Sequence, residues 1–472
     1  MVFSSLLFLF LFFAVTMALY CLSDTLDKKN RVLLVASLIF YAWGGPRYLL
    51  LLLLMSGISW LSALLIYQNR GNAIMEKAWL TGGVGLQLLL LGYFKYAGFL
   101  LGNLQKITGF PEDIPNIVLP IGISFYTFQL ISYVIDVYWG NVRPQRKYWL
   151  VLLYAGLFFQ CIAGPIVRYK DIAYEIEHRK TKMSEIGKGI NRFTIGLVKK
   201  AVFANSCAEI ADTLLPQKLA ELDAVPALGL WLGVLMYMLQ IYLDFSAYSD
   251  MAIGLGPIFG FYYEENFNYP YLSSSITEFW RRWHISLSTW FRDYLYIPLG
   301  GNRKGLGRTC VNLFIVFLAT GLWHGASMTF IIWGIYHGIF ILSERLWLKK
   351  VLDRNPVKFL NHLYAMFVVV FGWLLFRAPS MTYAIDLAKA MIRPSKGLWN
   401  AGLFANNKIL FLAVLGILLC GPVQALFPRF RNHIFDEENV SYGDIAVMIV
   451  LLFLSTMVVV SSTYTAFIYF QF

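Results

Sequence analysis

The stretch Cys310-VNLFIVFLATGLWHGASMTFIIWGIYHGIFI-Leu342 contains no Asp, Glu, Lys or Arg, yet it carries two histidines, His324 and His337. A bilayer core is crossed by about 20 apolar residues, so a run of this kind belongs in lipid. Similar runs recur along the chain: Val2 to Tyr20, Tyr48 to Tyr67, Leu80 to Leu101, Ile409 to Phe427 and Ile445 to Val460. Of the 472 residues, 58% are hydrophobic and 14% charged, against roughly 25% charged in a soluble domain. No water-soluble core could hide that much apolar surface. Lipid offers the backbone no hydrogen-bond partner, so the spans must be helices. The expected fold class is therefore all-α: a polytopic integral membrane protein with about 11 to 13 membrane segments. No internal repeat, low-complexity linker or long extramembrane stretch divides the chain, so residues 1–472 read as one transmembrane domain. The missing repeat also weakens a transporter reading, since many transporters are built from paired halves.

Orientation follows from charge. The first run lacks a basic leader, and Tyr20 stands where a signal peptidase before Cys21 needs a small residue, which predicts an uncleaved span. Lys28, Lys29 and Arg31 follow it directly, placing that loop in the cytoplasm and the N-terminus outside. The net charge of +12 is what basic loops against an anionic inner leaflet produce. It sits in short loops and not on one soluble face, which excludes nucleic acid as a partner. The five cysteines are far apart, with no CxxC pair and no metal-ligand spacing, so neither disulfide nor metal is expected.

Two regions interrupt the apolar pattern. Residues 168–200 are rich in Arg and Lys, too polar to span, and are expected in the cytoplasm. Residues 273–308 alternate aromatic and charged side chains at helical spacing, as in a helix lying in the membrane interface. Within it, Trp280 to Leu295 reads WRRWHISLSTWFRDYL. At about 100° per residue, Trp280, Trp283, Leu287, Trp290, Phe291, Tyr294 and Leu295 share one face, and Arg281, Arg282, Ser286, Ser288, Thr289, Arg292 and Asp293 the other. His284 falls in the apolar arc, where an imidazole needs a hydrogen-bond partner or a chemical task. Both readings stay open.

His324 lies deeper, in Thr320-GLWHGA-Ser327, with no acidic neighbour in sequence. An ionisable group at membrane depth is costly and usually lines a cavity or pathway. Gly321 and Gly325 flank it at the spacing that lets another helix, or a substrate, approach. His337 is thirteen residues on, roughly 220° around a continuous helix, and cannot share a site with His324 unless the helix breaks. It is expected to be structural. Asp136, Asp244 and Asp250 also stand among apolar residues; six apart, the last two point in different directions and read as hydrogen-bonded organisers of the bundle, with Tyr242, Ser246, Tyr248 and Ser249 as local partners.

No Walker loop, GxSxG elbow, HExxH or Rossmann glycine pattern is present. Thr289 stands where an HxxxxD acyltransferase beginning at His284 would need an acid. What remains is histidine chemistry inside a membrane, in which a neutral imidazole takes a proton from a hydroxyl as that hydroxyl attacks an activated acyl group.

These residues resemble the membrane-bound O-acyltransferase family, in its bacterial alginate O-acetylase-like branch. The blocks that carry the resemblance are Leu119-PIGISFYTFQLISYVIDVYW-Gly140, Ile162-AGPIVR-Tyr169, Gln240-IYLDFSAYS-Asp250, Phe279-WRRWHISLSTWFRDYLYIPLGGN-Arg303, Gly321-LWHGA-Ser327, Phe371-GWLLFR-Ala378 and Phe467-IYFQ-Phe472. Departures are Phe159 for a frequent Pro, Ala247 for a usual Gly and Ala466 for a usual Pro; none touches the histidines. The resemblance implies helices around a central funnel, with His324 as the essential histidine and His284 as a second active-site histidine. It further implies acetyl coenzyme A as acyl donor, with no bound cofactor. The acetyl group would pass outward across a bacterial inner membrane to an extracellular or periplasmic acetyltransferase partner that modifies a polysaccharide acceptor. Phosphates of such a donor need cations, and Arg281, Arg282, Arg303 and Lys304, with Arg308, gather near the interfacial region, although lipid headgroups would suit them equally. A D-alanyl transferase of teichoic acid is the nearest alternative, and a polysaccharide transporter a remote one.

Overall fold

The computed structural model describes residues 1–110, 113–162, 164–393, 407–427 and 441–461, and the C-terminal block Phe467–Phe472 and Ala466 lie outside them. Among the described residues every regular element is a helix. They group into two compact units, one comprising 1–193 with 251–264 and the other 194–250 with 265–472.

The first unit contains α1 (Phe13–Leu22), α2 (Leu26–Gly44), α3 (Pro46–Gln68), α4 (Ala73–Thr108), α5 (Ile123–Trp139), α6 (Tyr148–Gly156), α7 (Tyr169–His178) and most of α8 (Met183–Val198). The helix starts are written in the sequence. Thr25 and Asn72 accept the backbone N–H of Lys28 and Met75, and Pro46, which needs no N–H partner, opens α3. α3, α4 and α5 pack on one another, with polar side chains joining apolar faces. Gln87 in α4 donates to Met55 O at 2.7 Å and to Ser59 Oγ at 2.6 Å in α3. Asp136 accepts from Asn141 at 2.8 Å and pairs with Lys170 at 3.5 Å, an organising role as its apolar setting suggests. The basic region folds into short helices, and Arg179 at the end of α7 is buried, donating to Phe259 O at 2.8 Å and Asn30 Oδ1 at 2.6 Å.

The second unit contains α9 (Asn205–Leu214), the larger part of α10 (Ala227–Ile258), α11 (Ile276–Arg282), α12 (Ile285–Phe291), α13 (Gly305–His324), α14 (Met328–Ser343), α15 (Lys358–Arg377), α16 (Met381–Ala390), α17 (Asn407–Leu419) and α18 (Tyr442–Ser461). Asp244 and Asp250 in α10 find their partners in the π-helical turn Lys199–Ala204, a source the sequence reading did not supply: Lys200 Nζ lies 2.6 Å from Asp244, and Lys199 Nζ 2.5 Å from Asp250. Lys200 and Asp244 are both buried, so each charge needs the other.

Six described helices, α3, α4, α10, α13, α15 and α18, are long and apolar enough to cross a membrane. The expected 11 to 13 segments include shorter runs, and these are helices such as α5 with 17 residues and α14 with 16. At 1.5 Å per residue the latter spans about 24 Å, short of a full bilayer core.

The longest apolar run in the second unit is not one helix. It folds back on itself, α13 ending at His324 and α14 starting at Met328, where Ser327 caps Phe330 N–H. Gly321 and Gly334 form the seam. A Cβ on Gly334 would lie 2.5 Å from Phe317 O and 3.1 Å from Gly321 Cα. The glycines flanking His324 therefore admit a neighbouring helix.

Candidate active site

Residues 276–296 do not form the single interfacial helix their periodicity predicts. α11 stops at Arg282, and His284 takes a left-handed conformation with φ 45° and ψ 56° before α12 begins. A non-glycine residue pays for that geometry and needs support. Asn266 supplies it from eighteen residues upstream. Its carbonyl accepts Ile285 N–H at 2.9 Å, and its Oδ1 accepts Ser286 Oγ–H at 2.9 Å and the His284 ring at 3.2 Å. Asn268 N–H donates to Arg282 O at 2.9 Å, pinning the other side of the break. The two-faced burial survives: Trp280, Trp283, Leu287, Trp290, Phe291 and Tyr294 are all buried, as is His284, while Arg281 and Arg292 are exposed.

Asn266 Nδ2 donates to Ser249 Oγ at 3.1 Å, which turns Oδ1 toward the histidine. That network assigns the ring hydrogen to Nδ1 and leaves Nε2 as the accepting nitrogen of the neutral ring. Burial pushes the imidazole down to about 3, so it is neutral at ordinary pH. Phe245 packs edge-on against it at 4.8 Å between ring centres. A neutral His284 accepts a hydrogen bond; it suits a hydroxyl better than an oxyanion.

His324 closes α13 and is 5% exposed. Its ring packs at 4.9 Å from Trp323, 4.9 Å from Trp333 and 5.1 Å from Phe376. Trp323 also meets His284 at 6.0 Å, so one indole touches both histidines, forty residues apart in sequence. The break after His324 has a second consequence. His337 also reaches Trp333, at 5.0 Å, and packs on Trp280 at 5.1 Å, so it joins the aromatic cluster that a continuous helix would have kept it from.

Beside this cluster is a cavity of about 780 Å³. Its lining includes Trp280, Phe317 and Thr320, the last lying one helical turn before His324, but neither histidine itself. The lining also carries cations, among them Arg281, Arg292, Arg345, Lys349 and Lys358, with Glu278, Glu344 and Asp353 as acidic members. Arg281 was legible as a candidate. Its neighbour Arg282 is instead held by Glu278 at 2.8 Å and donates to Asn268 O at 3.1 Å. Arg303 and Lys304 are exposed just before α13 and do not line the cavity. Arg345, Lys349 and Lys358 escaped the sequence reading because they lie beyond the apolar run; their signal was the basic cluster that follows Leu342. Among the described residues no three His, Cys, Asp or Glu side chains are grouped as a metal would require.

Two histidines, one of them a neutral acceptor, thus share an aromatic shell next to a basic cavity. Residues 147–384 match the model of the membrane-bound O-acyltransferase family, and the chain belongs to that family and is an O-acyltransferase. Over its full length it is 40% identical to the whole of the protein named probable alginate O-acetylase in Pseudomonas putida. It is 43% identical to the protein of that name in Pseudomonas aeruginosa, over 90% of this chain and 81% of the relative. A peptidoglycan O-acetyltransferase of Helicobacter pylori is 35% identical over 83% of this chain and 80% of its own.

Proposed function

We propose that the protein takes acetyl groups from cytoplasmic acetyl coenzyme A and passes them across a bacterial inner membrane for O-acetylation of an extracellular or periplasmic polysaccharide, of the alginate or peptidoglycan kind. The observation that supports this reading is the cavity, whose lining combines cations suited to a phosphorylated donor with Thr320, one helical turn before His324. The relatives' names support acetyl as the group and a polysaccharide as its destination.

In the proposed reaction His324 is the general base. It removes the proton of an acceptor hydroxyl as the hydroxyl oxygen attacks the thioester carbonyl. The C–S bond then breaks, coenzyme A leaves as the thiolate, and the proton on His324 returns to it, giving an acetyl ester and free coenzyme A. His284 Nε2 accepts a hydrogen bond from the acceptor hydroxyl and orients it. Arg281, with Arg345, binds the donor's phosphates; Arg282, Arg303 and Lys304 add long-range attraction for the anionic donor. The acceptor is presented by an acetyltransferase partner outside the membrane, and the N-terminus lies on that same outer side.

The arginines separate two versions of donor binding. An exposed charge pair is worth up to about 1 kcal/mol, or roughly fivefold. Arg281→Ala and Arg345→Ala are each expected to raise KM for acetyl coenzyme A by about that factor, whereas Arg282→Ala, whose guanidinium is already engaged by Glu278, leaves KM within about twofold. Equal effects at Arg281 and Arg282 would place the donor elsewhere.

A charged thioester carrier cannot cross hydrocarbon, since each phosphate would lose its hydration. Only the acetyl unit moves. In sealed vesicles with acetyl coenzyme A confined to the cytoplasmic face, and alginate oligosaccharide with the partner acetyltransferase confined to the other, acetyl ester is expected on the far side. Transfer only when donor and acceptor share a compartment would overturn the crossing.

A further inference from the structure

Glu344 was in none of the motifs that point to the site, yet it is among the most engaged side chains in the second unit. It follows α14 at the start of the π-helical turn Glu344–Leu348 and is 2% exposed. One carboxylate oxygen accepts Ile276 N–H at 2.6 Å and Tyr364 Oη–H at 3.1 Å. The other accepts Thr277 N–H at 2.8 Å and Thr277 Oγ–H at 2.5 Å. Four donors from two other segments thus converge on one buried anion. A carboxylate taken out of water is tolerated only when its lone pairs are met in this way.

The geometry matters because of what these segments carry. Ile276 and Thr277 begin α11, the helix that delivers Trp280 and, past the break, His284. Tyr364 belongs to α15, which contributes Phe376 to the ring around His324. Glu344 itself ends the element that holds Trp333 against His324 and, through the Gly334 seam, faces α13. The start of α11 has a local cap too, Ser275 Oγ accepting Glu278 N–H at 3.0 Å. That cap forms the helix without tying it to α14; Glu344 adds a hydrogen-bonded tie to the packing of Trp280 on Trp333 and His337.

We propose that Glu344 is a positioning residue for acyl transfer: its carboxylate fixes the segment bearing His284 relative to the hairpin bearing His324. This rests on the reading of both histidines given above. A positioning residue acts on the rate and not on donor affinity, because a shift of about 1 Å at the reacting groups costs on the order of 10²-fold. It also acts through the group it positions. Once His284 is gone, holding its segment in place has little left to contribute.

The test uses the full-length purified protein and measures acetyl transfer from acetyl coenzyme A, with thermal unfolding in the same detergent. Glu344→Gln keeps the shape but presents a donor where one oxygen accepted. It is expected to lower kcat by about tenfold or more with KM for acetyl coenzyme A unchanged within twofold. The milder Thr277→Val, which removes one hydroxyl donor, lowers kcat about threefold with an unaltered unfolding midpoint. Combined with His284→Ala, which spares His324 and so leaves a residual rate, Glu344→Gln produces less than a twofold further loss. The proposal is overturned if Glu344→Gln costs the same factor in both backgrounds, or if it raises KM at constant kcat, since Glu344 also forms part of the cavity wall. Loss of stability in Glu344→Gln with an unchanged kcat for Thr277→Val overturns it as well, leaving a merely structural carboxylate. The underlying reading fails separately: His284→Ala alone would then transfer acetyl like the unmodified protein.

Discussion

His324→Ala is expected to lower acetyl transfer by about 10² to 10⁴, the usual worth of general-base catalysis, in a protein that still inserts and folds. The size follows from the setting. His324 is 5% exposed and enclosed by Trp323, Trp333 and Phe376, so no water or neighbouring side chain can readily assume its proton-accepting task. The same enclosure means that Ala leaves a void among aromatic rings, and a companion variant is needed to separate chemistry from packing. His324→Gln fills most of the space but cannot take a proton. Both variants should therefore lose transfer together while only Ala loses appreciable thermal stability. Transfer near the unmodified level in the Gln variant would remove proton abstraction at His324 from the mechanism.

Gly334→Ala should be nearly as damaging without touching any reactive atom. The added methyl would sit 2.5 Å from Phe317 O and 3.1 Å from Gly321 Cα. Both neighbours are backbone and cannot rotate away, so α13 and α14 must separate. Overpacking of this kind typically costs about 1 to 3 kcal/mol. The activity cost is expected to be larger, about 10²-fold, because His324 is three residues beyond Gly321 and moves with the seam. Gly82 is the control: open space surrounds its missing Cβ, and Ala there should be neutral or slightly stabilising, as in any helix interior. Similar kcat values for Gly334→Ala and Gly82→Ala would show that the hairpin seam does not set the position of His324.

What could be read from the sequence and what could not divide along physical lines. Apolar run length is a local property, and so the helical membrane character was visible from composition alone. His324 stood out for the same reason, as an imidazole in a stretch without charges. The break at His284 was invisible because the residues around it favour a helix. The left-handed turn is imposed by Asn266, which sits in an unremarkable polar segment eighteen positions away. The fold-back after His324 was hinted at by Gly325 and Ser327, and missing it kept His337 out of the cluster it occupies. Asp244 and Asp250 organise the bundle, as their apolar setting suggests, but their lysines lie in a region of which only the charge is legible in sequence. The basic cavity depends on helix phase. Arg281 and Arg282 are adjacent and chemically identical, yet a helix turns them about 100° apart, and only one lines the cavity.

The enclosure of His324 also has a meaning in time. Its walls come from Trp323 and Trp333 and, more than forty residues later, from Phe376. During synthesis both histidines are therefore in place before the aromatic enclosure around them is complete. Trp333 comes with the hairpin, but Tyr364 and Phe376 arrive only with α15. Until that helix docks, Glu344 lacks one of its four donors and the imidazole is open on one flank. The aromatic enclosure shared by the two histidines is thus completed late, by a helix that carries neither of them.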